Sequence, residues 1–122
     1  MGEGTSSLPP QLREQLLRLQ QLQRTMEVVV SQKTQLEFEF SDIERALDEL
    51  EKMDDKAAVY KSVGSLLVSS SRQKVIDELR DRKEIVNTRV TVLARQEERT
   101  RKKLAELQNR LEKQLKRTGS SP

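Results

Sequence analysis

The 122-residue chain has no cysteine, no histidine and no tryptophan. Without cysteine there is no disulfide framework, no thiolate nucleophile and no thiolate-bound zinc. Without histidine the commonest general base and metal ligand is gone as well. Carboxylates and lysines can still do chemistry, but only in a concave pocket that shifts their pKa values. The composition argues for a thin helical molecule without one, so neither an enzyme, a metal nor a cofactor is expected. Apolar residues are scarce at 34%, against roughly 45–50% in an ordinary globular domain, too little for a thick core. No run approaches the roughly 18 apolar residues of a membrane span, and the first 15 residues lack a charged stretch followed by an apolar one. A soluble, cytoplasmic protein with no membrane partner is expected.

Helix breakers are scarce too. Between Gln11 and Thr118 there is no proline and a single glycine, Gly64. A proline costs about 3 kcal/mol in a helix interior and a glycine about 1, so two arms of some 45 residues are free to run as unbroken helices, with Gly64 as the place to reverse. Ala, Glu, Lys, Leu and Arg supply 59 of the 122 residues, close to the half that marks coiled coils when a 3.5-residue period accompanies it. That period is present. Leu12, Leu19, Met26, Lys33, Phe40 and Leu47 fall at a, and Gln15, Leu22, Val29, Leu36, Ile43 and Leu50 at d, so ten of twelve positions are apolar. In the second arm Ile76, Lys83, Val90, Glu97, Leu104 and Leu111 take a, and Leu79, Val86, Leu93, Thr100, Leu107 and Gln114 take d, eight of twelve apolar. Such runs exceed the three or four heptads that define a coiled coil.

The expected fold class is therefore mainly α: an antiparallel two-helix coiled-coil hairpin with one small β-hairpin at its base connecting the helices. The expected segments are a flexible N-terminus at 1–8, helices at 9–53 and 73–116, a β-hairpin assembly region at 54–72 and a flexible C-terminus at 117–122. Each arm is roughly 65 Å long at about 1.5 Å per residue. Partner numbers across the seam are expected to sum to 126. That register sets Lys33 near Glu97, either as a polar pair that fixes it or as two charges reaching outward to solvent.

The connector carries short β-branched runs, Ala58–Val63 and Leu66–Ser70, around Gly64-Ser65, a pair suited to a two-residue hairpin. A helical turn with an irregular loop is the alternative. A lone two-stranded hairpin is marginal in water and its edges invite further strands, so its apolar side chains predict assembly between chains.

At the other end, Leu16, Leu17 and Leu115 lie off the seam near Leu8, Leu12 and Leu111, a group able to grip apolar segments of another protein or simply to close the last seam layers. Val28, Phe38, Ile85 and Val92 fall on outer faces, as ordinary surface residues or as the lining of a cage. Charge is uneven: nine acidic and two basic residues lie in Glu37–Asp55, and nine basic and four acidic in Arg95–Arg117. The run Arg99, Arg101, Lys102 and Lys103 reads as a solvated face, and three aromatics leave little for base stacking, so a nucleic-acid partner is not expected.

The segment Val59-Tyr60-Lys61-Ser62-Val63-Gly64-Ser65-Leu66-Leu67-Val68, set between two heptad helices, resembles the β-type subunits of archaeal prefoldin, also called GimC. Arg95-Gln96-Glu97-Glu98 is similar to the second helix of that family. The resemblance implies an ATP-independent holding chaperone in which two α- and four β-subunits form a hexamer. Its hairpins would build a base of β-barrels, and its helix tips would hold unfolded proteins for transfer to a group II chaperonin. Mapped onto this sequence, it implies assembly through Val59, Tyr60, Val63, Gly64, Leu66, Leu67 and Val68, and client binding through Leu8, Leu12, Leu16, Leu17, Leu111 and Leu115. A structural coiled-coil tether and an RNA-binding arm are the alternatives.

Overall fold

The computed structural model describes residues 8–119. In chain order they form helix α1 (Pro10–Lys52), strands β1 (Val59–Val63) and β2 (Leu66–Ser70), and helix α2 (Arg72–Gly119). Helix α1 begins where its sequence permits: Pro10 sits in the first turn, where a missing amide donor costs nothing, and the Arg13 amide donates to the Pro9 carbonyl at 3.1 Å. It ends without a glycine cap. Instead the Arg72 guanidinium reaches back from the start of α2, donating to the carbonyls of Leu50 (2.6 Å) and Glu51 (3.4 Å) and to the Asp55 carboxylate (3.0 Å). The Leu50 carbonyl also accepts from the Met53 amide at 3.2 Å, so the arginine adds to one backbone bond there and supplies a partner to the Glu51 carbonyl in the terminal turn. Asp54 shapes the loop that follows, its carboxylate accepting from the Lys56 amide and its carbonyl from the Ala57 amide.

The two strands pair antiparallel in the register Val59 with Ser70, Tyr60 with Ser69, Lys61 with Val68, Ser62 with Leu67 and Val63 with Leu66. Gly64 and Ser65 close them. Gly64 has φ +59°, and no other described residue has a positive φ, which is the signature of a II′ turn with glycine at its first central position. Of the two serines that suit the start of α2, Ser70 is used in the ladder and Ser71 caps the helix, its hydroxyl accepting from the Lys74 amide at 3.2 Å.

The chain divides into two compact units, Lys33–Val92 and the segments on either side of it. Lys33–Val92 holds the hairpin and a seam of Leu36, Ile43, Leu47, Leu50, Val59, Ile76 and a fully enclosed Val86. Between its helices Glu39 takes two bonds from Arg82 (2.5 and 2.9 Å), Glu44 pairs with Lys83 (3.6 Å) and Glu51 with Arg80 (3.8 Å). The residue numbers of these pairs sum to values on either side of 126. Lys83 also lies over the Phe40 ring, 5.3 Å from its centre, a cation–π contact at a seam position. The other unit buries Leu12, Val29, Leu107 and Leu111, and with them Thr100, whose hydroxyl donates to the Gln96 carbonyl at 2.8 Å and so is satisfied within its own helix. All 24 positions assigned to a and d are buried or half-buried. The heptad phase of both helices is thus the one the sequence predicts.

Candidate functional site

Strand alternation divides the hairpin into two faces. Val59, Lys61 and Val63 share one face with Ser70, Val68 and Leu66, and the other carries Tyr60, Ser62, Leu67 and Ser69. The first face meets the helices at one end only: Val59 is buried, and Lys61 donates to the Glu78 carboxylate on α2 at 2.8 Å. That bond, with Lys61 and Lys74 nearby, holds the Glu78 carboxyl below the usual carboxylate range. Beyond it the apolar side chains stand in solvent, with Leu67 74% exposed, Leu66 67% and Tyr60 63%, and Val63 and Val68 about half. Among the described residues the sheet has only these two strands, so apolar surface and unpaired edges are presented together.

The leucines of the first and last helical turns form a second apolar group. Leu12, Leu107 and Leu111 are buried against one another, with Leu8, Leu16, Leu19 and Leu22 half-buried around them. Leu17 is 60% exposed and Leu115 42%. Leu12 and Leu111, named from the sequence as contact residues, are occupied with seam packing because both sit at a. The same holds for Val59 in the hairpin. The leucines left to the surface are Leu17 and Leu115, with Leu8 and Leu16 partly so.

Sequence reasoning missed Arg72 and the Lys61–Glu78 tie. A signal for Arg72 exists: a cation in the first turn of a helix opposes the helix dipole, so another task is to be sought for it. Among the described residues no group of three or more His, Cys, Asp or Glu is placed to hold a metal ion, and no helix is long and apolar enough to cross a membrane.

The family model described as "Prefoldin subunit" matches residues 13–118. The chain belongs to the prefoldin family. Prefoldin subunit beta of Archaeoglobus fulgidus is 44% identical over 115 residues, covering 94% of this chain and 96% of that protein. Its counterpart from Methanosarcina acetivorans is 38% identical over 91% and 95% of the two chains. The crystal structure of the prefoldin beta subunit from Thermococcus strain KS-1 superposes with a TM-score of 0.77 at 36% identity, covering 89% of this chain and 96% of that one. The beta2 subunit of the same strain, 16% identical over 75% of this chain and 97% of that one, shares the fold at a TM-score of 0.68. The expected fold class, two long helices joined by one antiparallel hairpin, is that of a prefoldin β-type subunit. Prefoldin membership supports a chaperone-type function within a prefoldin complex, and it makes the chain a chaperone component and not an enzyme.

Proposed function

We propose that this chain is the β-type subunit of a hexamer of two α- and four β-subunits, which holds unfolded polypeptides without ATP and passes them to a group II chaperonin. The observation that carries the reading is the leucine content of this unit: Leu17 and Leu115 are exposed, and Leu8 and Leu16 are only half-buried against the leucine cluster. Apolar attraction is non-directional, which suits a holder of many sequences. Several weak contacts from separate subunits add through effective concentration, so no deep pocket is required. The hairpin serves the other half of the reading, with Tyr60, Val63, Leu66, Leu67 and Val68 as the residues of a sheet shared between subunits, and Gly64 as their turn.

The test is light scattering of an unfolding protein in the presence of the complex assembled with its α-type partner. The wild-type complex is expected to suppress aggregation at stoichiometric amounts. A complex of equal mass carrying Leu17→Ser and Leu115→Ser is expected to need several-fold more protein for the same effect. Aggregation that proceeds unchanged beside the wild-type complex refutes the proposal.

A further inference from the structure

A groove of about 450 Å³ runs between the helices in the unit that flanks Lys33–Val92, and it is lined by three cations, Arg18 of α1 with Lys103 and Arg110 of α2. All three stand at heptad position g, the flank on which facing antiparallel helices set g beside g. In Lys33–Val92 that flank is neutralised, Glu39 accepting two bonds from Arg82. Here cation faces cation. Glu14 and Glu106 also line the groove, one turn before Arg18 and Arg110, but neither closes onto a cation. Elsewhere in this unit Arg101 pairs with Glu97 and Glu98. The imbalance extends beyond the groove: from Leu8 to Gln32 and from Leu93 to Gly119 the chain has 12 basic and six acidic residues.

Like charges brought together across two helices are unfavourable, and an anion from outside relieves them. The groove is also apolar in part, since Leu22 and Leu107 line it. Both leucines belong to the apolar group described above, Leu107 in its buried centre and Leu22 packed against it. The cationic groove therefore borders the buried leucine cluster.

We infer that this groove receives an acidic stretch of the held polypeptide, its carboxylates beside Arg18, Lys103 and Arg110 and a neighbouring apolar side chain over Leu22 and Leu107. The inference rests on the holding function proposed above and adds a sorting rule to it: segments that mix Asp or Glu with apolar residues are held in preference to segments that mix Lys or Arg with them. The preference is electrostatic at an exposed site, so it weakens as salt is raised.

The experiment uses the complex assembled with its α-type partner and three labelled unfolded peptides of equal apolar content, one carrying four Glu, one four Lys and one four Ser. Fluorescence anisotropy at low salt is expected to show the Glu peptide bound roughly fivefold more tightly than the Lys peptide. The R18E/K103E complex is expected to reverse that order, and R18Q/K103Q to bring the two peptides close to equality. The Ser peptide should bind all three complexes alike, with assembled mass and helical signal unchanged. A Glu-over-Lys preference that persists in the reversed complex overturns the inference while leaving the holding function intact, and so does equal binding of the charged peptides to wild type. Failure of wild type to bind the Ser peptide removes the holding function itself. Reversal variants that lose only chaperonin binding assign the groove to that docking instead and overturn the inference as well.

Discussion

Glu39 and Arg82 show what a single pair does on the flank of a two-helix seam. The two bonds from Arg82 hold the Glu39 carboxyl below its ordinary value of 4.5, aided by the nearby charges of Arg82 and Arg89, and Glu39 raises Arg82 in return. A carboxylate whose pKa is lower in the folded chain stabilises it fully above the unfolded value; the contribution fades as pH falls through the folded value. Glu78, held down by Lys61, acts in the same window. Both pairs are largely exposed, so each contribution is small and screened by salt. Urea unfolding of the full chain is expected to show Glu39→Gln slightly less stable than wild type at pH 7. The gap should narrow as pH falls below the ordinary glutamate range and close once the pH has passed the lowered folded value, where the wild-type carboxyl is itself protonated. A gap that persists unchanged at pH 3 means that the bond to Arg82 is not its source.

Among the elements, the hairpin is the one most dependent on a single residue. An added Cβ at Gly64 meets nothing within 4 Å, so replacement there causes no clash and the cost is purely one of backbone conformation. At φ +59° an L-residue pays about 1–2 kcal/mol, and a β-branched one more. A two-stranded ribbon has little stability in reserve. Gly64→Val is therefore expected to cut amide hydrogen-exchange protection in β1 and β2 by about tenfold or more while leaving both helices protected, with Gly64→Asn milder because asparagine tolerates this region. Undiminished protection in the valine variant would show that the turn does not need its left-handed residue. This element and the seam were legible in the sequence because their signals are local: a seven-residue period, a Gly-Ser pair between β-branched runs, and a near absence of breakers. Even the split between buried Leu12 and exposed Leu17 follows from a against f. What escaped notice joins residues distant in sequence. The partners of Arg72 in α1 lie 21 and 22 positions back, and the bare cations of the groove emerge only once Arg18 is set beside Lys103 across the seam.

For the molecule as a whole, the exposed hairpin separates folding of one chain from assembly of several. Leu67 is 74% exposed in the single chain, and an exposed substitution away from caps and cores changes stability by about 0.5 kcal/mol or less. Leu67→Asp is thus expected to leave helical content and thermal unfolding of the isolated chain nearly unchanged. In a sheet shared between subunits the same carboxylate would lie buried against apolar side chains, at a cost far beyond what one interface tolerates. Mixed with its α-type partner, the variant should run in a mass measurement as free subunits at concentrations where wild type runs as a complex. Val59→Asp is the control with the opposite signature. Val59 is already buried beneath the helices, so an aspartate there should lower the stability of the single chain by about 2 kcal/mol or more before any partner is added. A Leu67→Asp chain that still assembles to full mass would show that the hairpin's second face lies outside the shared sheet.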